Sequence, residues 1–96
     1  MDRIFEWDPV KAAMNLKKHG IGFDEASLVF DDPLCLSEQD RIEEGEERWQ
    51  TIGSVAGCLL LLVAHTFHLE NENVEVVRII SARRADKNER RRYENG

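Results

Sequence analysis

At 96 residues the chain has room for one domain and one small core. A third of the residues are charged and the formal net charge is −6, so the chain as a whole repels nucleic acid. The longest apolar run, residues 55–64, is too short to span a bilayer and no signal peptide is visible, so a soluble, cytoplasmic protein is expected.

Ile4, Phe5 and Trp7 suit a short first strand. Asp8-Pro9 then starts a helix, with Asp8 as N-cap and Pro9 at its first position, and Gly20 stops it. Phe23, Ala26, Val29 and Phe30 recur at helical spacing and predict a second helix, ended by Asp31-Asp32-Pro33. Leu34 to Leu36 reads as a short strand, and the acidic stretch 38–47 as an exposed hairpin loop. In residues 48–55 Trp49, Thr51 and Gly53 alternate with Gln50, Ile52 and Ser54, a half-exposed strand. Gly57 marks a turn, and residues 59–67 form the most apolar strand, which belongs at the centre of a sheet. Residues 69–73 are a polar connection. The β-branched run from Val74 predicts another strand, paired with the preceding one and covered on both sides. A last helix covers roughly 87–95, with Asp86 as N-cap and Glu89 completing a capping box. The order β-α-α-β-β-β-β-α predicts an α+β domain in which helices cover an antiparallel meander.

The charge is unevenly placed. Residues 1–72 carry 6 basic and 15 acidic side chains, net −9, whereas residues 73–96 carry 7 basic and 4 acidic, net +3. That asymmetry predicts a local phosphate site in the tail or a basic partner for the acidic part. Arg78 interrupts an apolar strand and needs a partner, a ligand or an opening to solvent. With adjacent paired strands, His65, His68, Arg78 and Arg83 are expected within reach of one another, a proton-transfer group beside phosphate-binding guanidiniums. Lys17-Lys18-His19 is a second basic cluster, which helix-dipole complementation also accounts for. Glu46-Glu47-Arg48 is a charged loop edge or a carboxylate aimed at the arginines. Trp7 and Trp49 read as core or interface residues. Cys35 and Cys58 lack metal-ligand spacing and read as reduced core thiols. No Gly-rich phosphate loop, nucleophile elbow or zinc motif is present.

Four stretches together are specific: residues 5–32, EERWQTIG, LLLLVAHT, and VRIISARRADKNERRRYEN. In this order they resemble the BrnT family of toxins over nearly the whole chain. The resemblance implies a RelE-like fold: a small antiparallel sheet of about four to five strands, with two N-terminal helices and a C-terminal helix, in one domain spanning 1–96. It implies a ribonuclease toxin of a type II toxin–antitoxin pair, neutralised by a BrnA-like ribbon-helix-helix antitoxin in a heterotetramer that meets operator DNA through the antitoxin. The family's strand arginines map to Arg78 and Arg83, its Glu-Arg to Glu47-Arg48, and its Lys-His to Lys18-His19. Where the family often has arginine, this chain has His68, whose charge depends on pH.

The expected chemistry is attack by the RNA's own 2′-hydroxyl, without metal or other cofactor. Glu47 or His65 is the expected base, Arg78 and Arg83 the cations that stabilise the phosphorane, and His65 or His68 the acid. Lys18, His19, His68 and Arg84 are expected to bind RNA. Arg78 and Arg83 lie an odd number apart, so a regular strand puts them on opposite faces; a bend or strand end near Ser81-Ala82 is needed to unite them. Replacing either by alanine is expected to abolish toxicity and spare the fold. Two other classes compete: a non-catalytic co-repressor module, and a structural protein built around a buried Arg–Glu network.

Overall fold

The structure, a computed structural model, describes residues 2–96. Strand β1 (Asp2–Glu6) leads into helix α1 (Pro9–His19). Asp8 caps α1 by accepting from the Val10 and Lys11 amides, and Gly20 ends it with φ 71°, a left-handed conformation that costs glycine little. The short helix α2 (Phe23–Ser27) runs on into a 3₁₀ turn, Leu28–Asp31. Strands β2 (Leu36–Glu43), β3 (Glu46–Val55), β4 (Leu59–Asn71) and β5 (Val74–Arg84) follow as consecutive hairpins, and helix α3 (Lys87–Asn95) closes the chain. The capping box expected at Asp86 and Glu89 is present.

The sheet order is β1-β5-β4-β3-β2. The element order and the central place of the most apolar strand, β4, follow the sequence reading. The purely antiparallel sheet does not. β1 pairs with β5 in parallel, from Asp2 opposite Val74 to Glu6 opposite Arg78. The meander leaves the outer edge of β5 open, and the N-terminal strand fills only part of it. The acidic stretch 38–47 is also not a loop but most of a hairpin. Its turn is only Glu44 and Gly45, at φ 53° and 77°, which matches the twist of the flanking strands. Periodicity could not find β2, because it is an exposed edge strand whose charges and bulge at Asp40 discourage edge-to-edge pairing.

Two unequal cores lie on the two faces of the sheet. On one, α1, α2 and the 3₁₀ turn cover Leu61, Val63, Val77, Ile79 and Ala82, with Phe23 and Val29 packed into them. On the other, Tyr93 of α3 covers Ile52, Leu60 and Leu62 and donates to Asp32 Oδ2 at 2.6 Å. α3 therefore covers only one end of its face, and the other end is open. Neither cysteine is the core residue expected: Cys35 is half-buried and Cys58 is exposed beside the β3–β4 turn.

Candidate functional site

The open end of the α3 face takes its character from one irregularity. Ile79 pairs with His65 and Ser81 with Ala64, so Ile80 is an extra residue bulged out of β5. Beyond the bulge the alternation is reversed. Val76, Arg78, Ser81 and Arg83 share the α3 face, while Val77, Ile79 and Ala82 point into the other core. A bulge, not a strand end, thus unites the two arginines; β5 continues to Arg84. Arg78 pairs with Thr66 and Arg83 with Leu62, four positions along β4, or about 13 Å.

The carboxylate that meets Arg78 is Glu46. Arg78 Nη2 lies 2.5 Å from Glu46 Oε1, and both side chains are about two-fifths exposed. Arg48 Nε lies 3.8 Å from the same oxygen, too far for a hydrogen bond, and is buried without another partner among the described residues. Two guanidiniums on the strands flanking β4 therefore converge on one carboxylate oxygen. His68 stands on this face two residues beyond Thr66, exposed, with Nε2 3.1 Å from Glu70. Gln50, Thr66 and Ser81 add neutral donors and acceptors to the face.

Other expected members lie elsewhere. Glu47 is exposed on the opposite face, because the alternation that puts Glu46 and Arg48 with Gln50 puts Glu47 with Trp49. His65 is also on the opposite face, 3% exposed, with the Phe30 ring edge-on at 4.9 Å. Its Nε2 ends a chain that runs inward from exposed Ser37: it lies 2.7 Å from buried Thr51 Oγ1, which is 2.7 Å from Ser37 Oγ. Arg84 faces the same way, opposite Leu61, and is exposed. Lys18 and His19 line a groove between α1 and the bulge of β5. Arg83 is on the α3 face but is engaged: its Nη1 and Nη2 donate to Glu89 at 2.8 and 2.9 Å. The pair holds the start of α3 to the end of β5, so Arg83 cannot be removed without cost to the fold.

A family model described as ribonuclease toxin, BrnT, of type II toxin-antitoxin system matches residues 7–89. The chain belongs to the BrnT family. With membership come a ribonuclease toxin class and an antitoxin partner. Among solved structures the chain is similar to the ribonuclease toxin BrnT of Brucella abortus, at 21% identity and TM-score 0.59, over 91% of this chain and all of that one. That likeness is one of fold. No curated protein matches the chain.

Sequence reasoning about this BrnT chain raised a carboxylate of Glu46-Glu47-Arg48 aimed at the arginines but settled on Glu47; the carboxylate that meets Arg78 is Glu46, with Arg48 beside the same oxygen. The signal was present: the alternation of Trp49, Thr51 and Gly53 against Gln50 and Ile52, extended backwards, selects Glu46 and Arg48. Among the described residues no three His, Cys, Asp or Glu side chains form a metal-binding group, and no helix is long and apolar enough to cross a membrane.

His65 has a measurable consequence. Burial is the main cause that pushes its pKa down to about 4, and the Thr66 backbone and the Glu75 charge oppose it too weakly to restore the usual value. The folded state keeps the imidazole neutral, while the unfolded chain protonates it below its ordinary pKa of 6.5. Stability is therefore full above about pH 6.5 and falls as pH drops toward 4, by about 3 kcal/mol in total and about 2 between pH 7 and 5. The melting temperature should drop by roughly 10 °C across pH 7 to 5. His65→Gln, which cannot titrate there, should flatten that slope; an equal slope in both proteins would exclude His65 as its source.

Proposed function

We propose that this chain cleaves RNA at the α3 face, using the RNA's own 2′-hydroxyl as nucleophile and no metal. The observation that carries the reading is the pair Arg48 and Arg78 around one Glu46 oxygen, with Arg48 Nε lacking a hydrogen-bond partner among the described residues. A phosphodiester entering there supplies the missing acceptor and meets two cations where charge grows in the transition state. It also draws the guanidiniums away from Glu46, whose freed carboxylate stands beside the phosphate as general base for the 2′-proton. His68, on the same face and open to solvent, is the acid of this reading, protonating the leaving 5′-oxygen. Arg83 contributes field and helix anchorage some way along the same floor. The reading carries with it the RelE-type arrangement of sheet and helices.

The antitoxin in this reading is BrnA-like, with a ribbon-helix-helix domain that contacts operator DNA, in a complex of two toxins and two antitoxins. The exposed acidic hairpin of β2 and β3 and the net −9 of residues 1–72 suit basic segments of such a partner. Native mass spectrometry of the co-expressed pair counts the copies.

Purified protein incubated with RNA and excess chelator should still cleave and should leave 2′,3′-cyclic phosphate ends. Activity lost to the chelator and regained with a divalent ion would remove the mechanism.

A further inference from the structure

The bulge in β5 borders a second feature that the arginine face does not use. A groove of about 680 Å³ lies between α1 and Ile80-Ser81. Lys11, Lys17, Lys18 and His19 line it, together with the apolar side chains of Met14 and Ile80. Its walls are fixed to each other by Asn15, which is only 7% exposed. The Asn15 amide donates to the Ala82 and Ile21 carbonyls, and its oxygen accepts from the Ala82 amide. β1 ends opposite Arg78, so beyond that point the outer edge of β5 has no neighbouring strand, and the groove opens along that edge, where Asn15 holds Ala82. Ser81 lines the groove and also stands on the α3 face between Arg78 and Arg83. Groove and arginine floor are therefore one surface that turns over the edge of β5.

The charge of the groove runs against that of the chain. Residues 1–72 carry net −9, yet the lining holds three lysines, a histidine and no carboxylate. None of the three lysines makes a salt bridge among the described residues. Dipole complementation accounts for cations in the last turn of α1, Lys17, Lys18 and His19, but not for Lys11 nearer its start. Met14 stands 65% exposed among these cations. Cations interspersed with apolar side chains match a polyanion with flat faces between its charges, which is single-stranded nucleic acid.

We propose that this groove is an accessory subsite for single-stranded RNA, holding nucleotides that flank the scissile phosphate. The proposal rests on the ribonuclease reading of the arginine face. Lys11 and Lys18, seven residues apart on one side of α1, contact phosphates, and Met14 and Ile80 underlie a base or ribose. These are binding residues; they touch no reacting atom.

The test compares kcat/KM on a dinucleotide, too short to reach the groove, with values on progressively longer oligoribonucleotides. The parental protein should gain with length, mainly through KM. In Lys11→Glu/Lys18→Glu that gain should collapse by roughly tenfold or more, and the salt slope of oligonucleotide binding should fall by about 0.7 per lost contact. Met14→Ala should weaken the gain with no change in salt slope. A separate arm needs no cleavage: a fully 2′-O-methylated oligonucleotide, followed by fluorescence anisotropy, should bind Arg78→Ala protein and lose affinity when the two lysines are reversed. Binding of that kind in a protein that never cleaves RNA would sink the ribonuclease reading and leave the subsite standing. Cleavage with an unchanged length dependence in the lysine variant would overturn the subsite. So would a lysine variant that binds RNA normally but has lost its antitoxin, which would make the groove a protein-docking site.

Discussion

Arg78→Ala should reduce RNA cleavage about a hundredfold while lowering the melting temperature by at most a few degrees. Removing one charged contact made in the transition state costs on the order of 3 kcal/mol, which is roughly that factor in rate. The stability side of the prediction comes from exposure. The Arg78 and Glu46 side chains are 42% and 40% exposed, so their ion pair is solvated and contributes at most about 1 kcal/mol. In a domain of this size that is a shift of a few degrees. The competing structural reading requires the guanidinium to neutralise a buried carboxylate, and Glu46 is not buried. Arg78→Lys should recover only part of the rate, because an ammonium is a point charge and cannot present a planar fork to a phosphate. Melting temperature and cleavage measured on the same preparation decide the matter. An Arg78→Ala protein that cleaves at the parental rate would remove Arg78 from the chemistry.

How much of this was legible in the sequence depends on which physical signal each element carries. α1 was readable because Asp8, Pro9 and Gly20 punctuate it, and α3 because Asp86 and Glu89 form a box. β4 was readable from its unbroken apolar run, since a central strand is buried on both faces. β2 was not, because an edge strand buries almost nothing and its side chains are free to be polar. The parallel pairing of β1 with β5 was out of reach for another reason. It joins the two ends of the chain, and no hairpin turn announces it.

The site shows the same division. Parity along a strand decides which side chains meet, so a single inserted residue changes every assignment beyond it. The bulge at Ile80 carries no sequence signal, being an isoleucine in a β-branched run, yet it puts Arg83 on the same face as Arg78 and turns Ala82 into the core. Glu46 and Glu47 are chemically equivalent neighbours, and only the register separates them. His65 was expected beside the arginines because its strand neighbours theirs. Adjacent strands share faces by pairing, however, and His65 pairs with Ile79, whose side chain is in the core.

Arg83→Ala should behave differently from Arg78→Ala: it should lower the melting temperature by roughly 10 °C. Arg83 makes two parallel hydrogen bonds to Glu89, at 2.8 and 2.9 Å, and the Glu89 side chain is only 12% exposed. Glu89 Oε1 also accepts from the Asp86 amide, so one carboxylate ties β5, the cap and the first turn of α3 together. The Arg83 hydrogen bonds are the main cause that holds the Glu89 carboxyl below its ordinary range. Taking the guanidinium away leaves a largely buried charge with one backbone donor, a loss that costs about 3–5 kcal/mol in a fully buried pair. Arg83 is 40% exposed, which discounts the figure to about 2 kcal/mol. Because the folded pKa of Glu89 is lowered, the contribution of the pair is complete above the ordinary carboxylate range and is lost as pH falls through the lowered value. The gap between parental and Arg83→Ala proteins should therefore be wide at pH 7 and close at low pH. Arg83→Ala/Glu89→Gln should be more stable than Arg83→Ala alone, since the stranded charge is gone while the amide oxygen can still accept from Asp86. Thermal melts of the three proteins across pH test this directly. An Arg83→Ala protein as stable as its parent at pH 7 would show that the pair does not anchor α3, and would return Arg83 to the reacting phosphate.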